Sequence, residues 1–245
     1  MFDVGVVGYP TITTTKSFDL DGVDEYLTVG NVLDKTGTSA FSISAWVKTD
    51  TLTGGQVIMS KRNGDSTAGY LYYLTASGIA RLYIESTGGG ALFCANNSGI
   101  STGTWTLVTV TYSGSGSTSG VDFYTNATHG TTTTTTNTFS GTASNSTATK
   151  IGSEASRWYY NGKLYEVIMW NKKLSGTEVT ELYNSGTPID ANTHSASANI
   201  QAYWRMGNDE FDDGTGTTGK IMDRAGAFDA TPTNTESGDI TTDAP

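Results

Sequence analysis

The sequence predicts an all-β fold of two packed antiparallel sheets, and three observations carry that prediction. Apolar residues alternate with polar ones at period two in segment after segment, as half-buried strands require. Gly, Ser or Asn clusters separate these segments, and 30 Gly, abundant Thr and Ser, 13 Tyr and only 16% charged residues suit short strands joined by turns. A parallel α/β arrangement would need a helix after each strand, and those helices are missing. A chain of 245 residues is long enough to bury one large continuous core.

Taken in order, residues 1–16 carry Val4, Val6, Val7, Tyr9 and Ile12 and are too apolar for a solvated tail. They read either as a first edge strand or as an arm that adds a strand to a neighbouring chain. Residues 17–245 read as a single domain. Phe18 and Leu20, then Leu27 and Val29, flank the turn Asp21-Gly22-Val23-Asp24-Glu25 and predict a hairpin. Phe41, Ile43, Ala45 and Val47 alternate with Ser42, Ser44, Trp46 and Lys48, which puts one side of that strand in a core. Further strands are predicted over 56–61, 69–74, 80–85, 91–95, 105–112, 121–125 and 164–170. The threonine run 131–136 predicts a solvent-facing strand. One helix stands out, with Ser175 and Glu178 as a capping box, Val179, Leu182 and Tyr183 on one face, and Gly186 to end it. After a long connection over 186–199, Ile200, Ala202, Trp204 and Met206 alternate in a last strand, and an acidic segment completes 200–245.

The formal charge of −10 argues against nucleic acid or an anionic membrane as partner, because both attract clustered Lys and Arg. Cys94 is the only cysteine, so no intrachain disulfide can form, and its neighbours Leu92 and Phe93 make it a small buried hydrophobe. The start of the chain has no basic and apolar leader pattern, and no apolar run is long enough to span a bilayer. With Met1 as its natural start, the protein is expected to fold in a cytoplasm.

Four stretches in order carry a resemblance to a known family: SFDLDGVDEYLTV (17–29), FSISAWVK (41–48), WTLVTVTYSG (105–114) and NGKLYEVIMWNKKLSGTEVTELYN (161–184). Together they resemble the concanavalin A-like lectin/glucanase superfamily in its laminin-G-like branch. Leu107 stands where the family often has histidine, and Glu166 takes the place of the glutamate in its Asp-Glu-Val element. The resemblance implies a jelly-roll sandwich. Residues 202–245 are similar to the C-terminal passage of lectin-like proteins carried by tailed bacteriophages. That second resemblance implies a non-enzymatic virion structural protein, as head decoration or tail or fibre component, made in the host cytoplasm without a signal peptide. Its partners would be capsid or tail proteins, further copies of itself and host-surface carbohydrate. The alternative is a stand-alone lectin or carbohydrate-binding module.

Glucanases of this fold set carboxylates on one face of a strand as Glu-x-Asp-x-Glu, because acid and nucleophile must flank one glycosidic bond. No such triplet occurs, and Glu166 is followed by Val167, Ile168, Met169 and Trp170. The chain is therefore expected not to be an enzyme, and Glu166 to serve structure or a metal. Relatives that hold calcium do so with loop oxygens, which makes Asp21 and Asp24, and the late Asp209, Glu210, Asp212, Asp213 and Asp223, candidate ligands; none has EF-hand spacing. The competing reading is that Asp21 and Asp24 make the turn and the late residues are a solvated acidic run. A glycan site needs aromatic faces beside polar groups. Arg157, Trp158, Tyr159, Tyr160 and Asn161 are the first candidate, and Tyr70, Tyr72 and Tyr73 the second; core or cross-strand packing is the competing reading for both.

Overall fold

The computed structural model describes residues 15–155 and 157–245. In chain order its strands are β1 (Ser17–Asp21), β2 (Tyr26–Gly30), β3 (Phe41–Thr49), β4 (Gln56–Lys61), β5 (Gly69–Leu74), β6 (Ile79–Glu85), β7 (Ala91–Gly99) and β8 (Thr106–Tyr112). They continue with β9 (Val121–Thr125), β10 (Thr128–His129), β11 (Thr132–Asn137), β12 (Thr149–Ile151) and β13 (Asn161–Trp170). Helix α1 (Gly176–Tyr183) follows, then β14 (Ile200–Trp204), β15 (Thr231–Thr233) and β16 (Ile240–Thr241).

These strands form two antiparallel sheets. The first runs β10-β9-β8-β3-β13-β1-β16, with β14 also paired to β13; the second runs β11-β7-β6-β5-β4-β12-β2-β15. The sheets face one another across a core fed by alternate residues of each. Phe41, Ile43, Ala45 and Val47 enter from the first sheet and Tyr70, Tyr72, Leu82, Ile84, Leu92 and Cys94 from the second. Burial pushes the Cys94 thiol up to about 12, so it is an inert packing group. The last segment joins both sheets, β15 pairing β2 and β16 pairing β1. The expectation for the N-terminal arm lies outside the described residues, except that the Thr15 and Lys16 N–H groups donate to Asn208 Oδ1 at 2.9 Å each.

The hairpin predicted at 18–29 is corrected. β1 pairs β13 and β16, whereas β2 pairs β12 and β15, in the opposite sheet. Asp21 to Glu25 is a corner between sheets, and the alternation looked like a hairpin because Phe18, Leu20, Leu27 and Val29 enter one core from two sides. Helix α1 has the predicted capping box, with Ser175 accepting from the Glu178 N–H and the Glu178 side chain accepting from the Ser175 N–H. It ends earlier than Gly186: Asn184 takes the left-handed conformation at φ 43°.

The two outer faces are treated differently. On the first sheet, Trp46, Leu107, Tyr165, Ile168, Trp170 and Tyr203 point away from the main core into a second apolar cluster closed by Leu174, Val179, Leu182, Ala191 and Ala196. Helix α1 and the connection after it supply that cover. His194 fastens the connection: its Nδ1 accepts from the Ala196 N–H, so Nε2 carries the proton and donates to the Glu178 carbonyl at 2.9 Å. On the second sheet, no described strand residue joins the cluster under α1, and Val57, Leu71 and Tyr73 form a small buried cluster of their own.

Candidate functional site

Strand register lays out the outer face of that second sheet. Phe93 on β7 is directly opposite Tyr83 on β6, Tyr83 is opposite Leu71 on β5, and Leu71 is opposite Ser60 on β4. Next to this row runs a second, in which Ala95 is paired with Arg81, Arg81 with Tyr73, and Tyr73 with Val57. Alternation sends Leu82 and Ile84 inward and Arg81 and Tyr83 outward, so aromatic rings and guanidinium groups share one surface. Tyr83 and Phe93 meet edge to face at 5.2 Å, and Arg81 and Arg62 lie over the Phe93 and Tyr83 rings at 5.3 and 4.4 Å.

The loop entering β13 lies on this surface. Trp158 stacks on Tyr73, centroids 5.3 Å apart and planes 23° from parallel, and the residue is 37% exposed. Its backbone is left-handed at φ 53°, unusual for an aromatic residue and of order 1–3 kcal/mol in strain. Gly55 gives the ring its seat, since a Cβ there would come within 2.7 Å of the indole. Arg157 covers Trp158 at 4.6 Å and grips Asp65 with two bonds of 2.9 and 2.6 Å. Arg157 also reaches Glu154, which pairs with Arg62 at 2.9 Å, and Arg62 meets Glu85 at 3.2 Å. Burial raises the Glu154 carboxyl in spite of its two arginines, whereas the Arg157 hydrogen bonds lower Asp65. Tyr159 pairs with Tyr26 at 6.2 Å, and Lys150 lies over the Tyr26 ring at 4.3 Å.

Of the residues expected to bind glycan, Arg157, Trp158 and Tyr159 therefore lie on one surface. Tyr160 is fully buried in the main core, and Asn161 is tied at the start of β13, donating to the Asp21 carbonyl at 2.6 Å. Tyr70 and Tyr72 point into the core, while Tyr73 faces out beneath Trp158. Sequence reasoning missed Tyr26, Tyr83, Phe93, Arg62 and Arg81. The signal was present in β6, whose Leu82 and Ile84 alternate with Arg81 and Tyr83.

Most of the carboxylates expected to hold calcium are engaged by the chain itself, and Asp24 and Glu210 are exposed. Asp21 Oδ1 accepts from the Val23 N–H at 2.7 Å, closing its own turn, and Asp24 is exposed beside it. Asp212 accepts from the N–H groups of Gly207, Asp209 and Met222, and Asp223 from those of Tyr203, Ala225, Ala227 and Phe228. Asp213 accepts from the Thr215 N–H, Asp209 pairs with Arg224 at 3.0 Å, and Glu210 is exposed. These side chains organise an irregular segment whose backbone donors need acceptors. Glu166 is buried with Arg205 at 2.9 Å and accepts from the Tyr203 hydroxyl; burial pushes its carboxyl upward against the pull of Arg205. It sits at φ 47° where the β13 register with β3 shifts, and β13 changes partner there from β1 to β14. Among the described residues no group of three or more His, Cys, Asp or Glu side chains is arranged to hold a metal ion.

The Laminin_G_3 family model of the concanavalin A-like lectin/glucanases superfamily matches residues 21–180, and the chain belongs to that superfamily. Solved structures agree on the fold. A putative carbohydrate binding protein from Bacteroides ovatus superposes with a TM-score of 0.62 at 16% identity, covering 94% of this chain and 60% of that one. This chain thus spans about three-fifths of that protein's length. A native heptameric SAP-like pentraxin from Limulus polyphemus has a TM-score of 0.52 at 16% identity, covering 69% of this chain and 82% of that one. No curated protein matches the chain. No helix among the described residues is long and apolar enough to cross a membrane.

Proposed function

We propose that this protein is a non-catalytic carbohydrate-binding protein that presents the outer face of its second sheet, centred on Trp158, to glycan. The observation that carries the reading is Trp158 itself, held in a left-handed backbone conformation against Tyr73 on the sheet face that α1 does not cover. Sugars offer apolar C–H faces and a rim of hydroxyls. The partly exposed rings of Trp158, Tyr83, Phe93, Tyr159 and Tyr26 suit the faces, and Arg81, Arg157, Asp65 and Lys150 suit the hydroxyls. The family and its carbohydrate-binding structural neighbour support the same class of ligand.

The test is an array of immobilised oligosaccharides, followed by titration of any hit with wild type, Trp158→Ala and Gly55→Ala. Both variants are expected to weaken binding at least tenfold, about 1.4 kcal/mol, and no reducing sugar is expected to be released. Unchanged affinity in both would remove the face from the account.

The similarity of residues 202–245 to phage lectin-like proteins favours a second reading, in which the same surface is carried on a virion and the chain self-associates or docks to capsid or tail proteins. Peptides from this chain in purified particles would support it; their absence from such particles would dismiss it.

A further inference from the structure

At one side of the sandwich, where β9 and β10 of the first sheet approach β11 of the second, the chain leaves an open cleft of about 380 Å³. That volume is within the roughly 300–1,000 Å³ usual for small-molecule sites. Its walls differ from those of the Trp158 face. Six of the lining residues carry hydroxyls, and Asp122, His129 and Asn137 add a carboxylate, an imidazole and an amide. We propose that this cleft is a second binding site, which takes a single neutral sugar ring through its hydroxyl groups.

The polar groups are held in place before any ligand arrives. Asp122 is gripped by Lys173 at 2.8 Å and by His129 at 3.3 Å. Partial burial opposes its ionisation, but those two partners hold it below the usual carboxylate range. The Asn137 amide is oriented from both ends, its oxygen accepting from the Thr118 N–H at 3.1 Å and its nitrogen donating to Ser117 Oγ at 3.3 Å. Thr134 and Thr118 share a hydrogen bond of 2.8 Å across the cleft's inner wall. His129 and Tyr124 pack edge to face with centroids 5.1 Å apart.

A sugar hydroxyl both donates and accepts. It therefore matches a wall that offers a charged acceptor, hydroxyls that do either, and an amide, at little cost in rearrangement. A carboxylate accepting from ligand hydroxyls makes the stronger, charge-assisted bond. The ligand should be neutral, because Lys173 is already spent on Asp122 and no Lys or Arg is among the described residues that line the cleft. It should also be small and weakly held, with a dissociation constant on the order of 1 mM, since Val121 is the one aliphatic side chain in the lining.

Saturation-transfer NMR with methyl α-mannopyranoside, methyl β-galactopyranoside and glucuronate separates this site from the Trp158 face. At least one neutral glycoside should give a saturable signal that Trp158→Ala leaves unchanged. Ser119→Trp, which fills the cleft from an exposed turn and should not disturb folding, should abolish it, and Asp122→Asn should weaken it about tenfold. Glucuronate should give none. The proposal is overturned if neither glycoside binds saturably, if Ser119→Trp leaves the signal intact, or if glucuronate binds as well as the neutral sugars. Loss in Trp158→Ala alone would assign the signal to the sheet face and likewise overturn it.

Discussion

The outer faces of the two sheets are built from the same kinds of residue yet do opposite things. On the first sheet, Trp46, Tyr165, Trp170 and Tyr203 are sealed beneath α1 and its following connection. On the second, Tyr26, Tyr83, Phe93, Tyr159 and Trp158 stay partly in water, with charged groups between them. An aromatic residue in a sandwich strand therefore says little by itself; what decides its role is whether the chain later returns to cover it. Here α1 and the connection after it return over the first sheet only. The indoles of the two faces differ accordingly, Trp170 being a packing element and Trp158 a surface one.

The largest expected effect tests the covered side. Trp170 is fully buried and donates its indole N–H to Ser44 Oγ at 3.3 Å. Replacing it by Ala should cost about 3–5 kcal/mol in denaturant unfolding. Trp158→Ala should change stability by no more than about 1 kcal/mol, because the ring is partly exposed and Ala, which keeps the Cβ, leaves the backbone strain as it was. Equal losses at the two positions would break the distinction between the faces.

A smaller effect is expected at the corner that carries the chain from one sheet to the other. Burial, aided by the nearby Asp239, Asp21 and Asp24, raises Glu25 from 4.5 to about 7, although the Asp21 N–H donates to it. A carboxyl raised in the folded state stabilises most below its unfolded value and loses that contribution as pH climbs through the folded one. The melting temperature should therefore fall as pH rises from about 4.5 to beyond about 7. In Glu25→Gln that fall should be shallower; identical slopes would show that Glu25 ionises freely in the folded protein.

Much of this contrast was legible in the sequence. In β13, the run Leu164 to Trp170 is apolar on both parities apart from Glu166, the pattern of a strand covered on both sides. In β6, apolar and polar residues alternate, the pattern of a strand with one wet face. The Asp21 to Glu25 corner was misread because turn residues specify a reversal and not which sheet receives the next strand. The Glu166 bulge was invisible because an inserted residue shifts the alternation locally, leaving Leu164 and Val167 both inward. Strands β10, β12, β15 and β16 have two or three residues each, too few to show a period. The site was legible at Trp158 and Tyr159, but its partners come from strands distant in sequence, and Tyr160 turns into the core one residue later.

The most direct test of the account is to map a bound oligosaccharide onto both faces in one experiment, by following backbone amide shifts during titration with an array-selected glycan. The account predicts that shifts concentrate on Val57, Leu71, Tyr73, Arg81, Tyr83 and Trp158, with Val179, Leu182 and the rest of the covered face unmoved. Shifts centred on α1, or confined to the covered side of the first sheet, would contradict it.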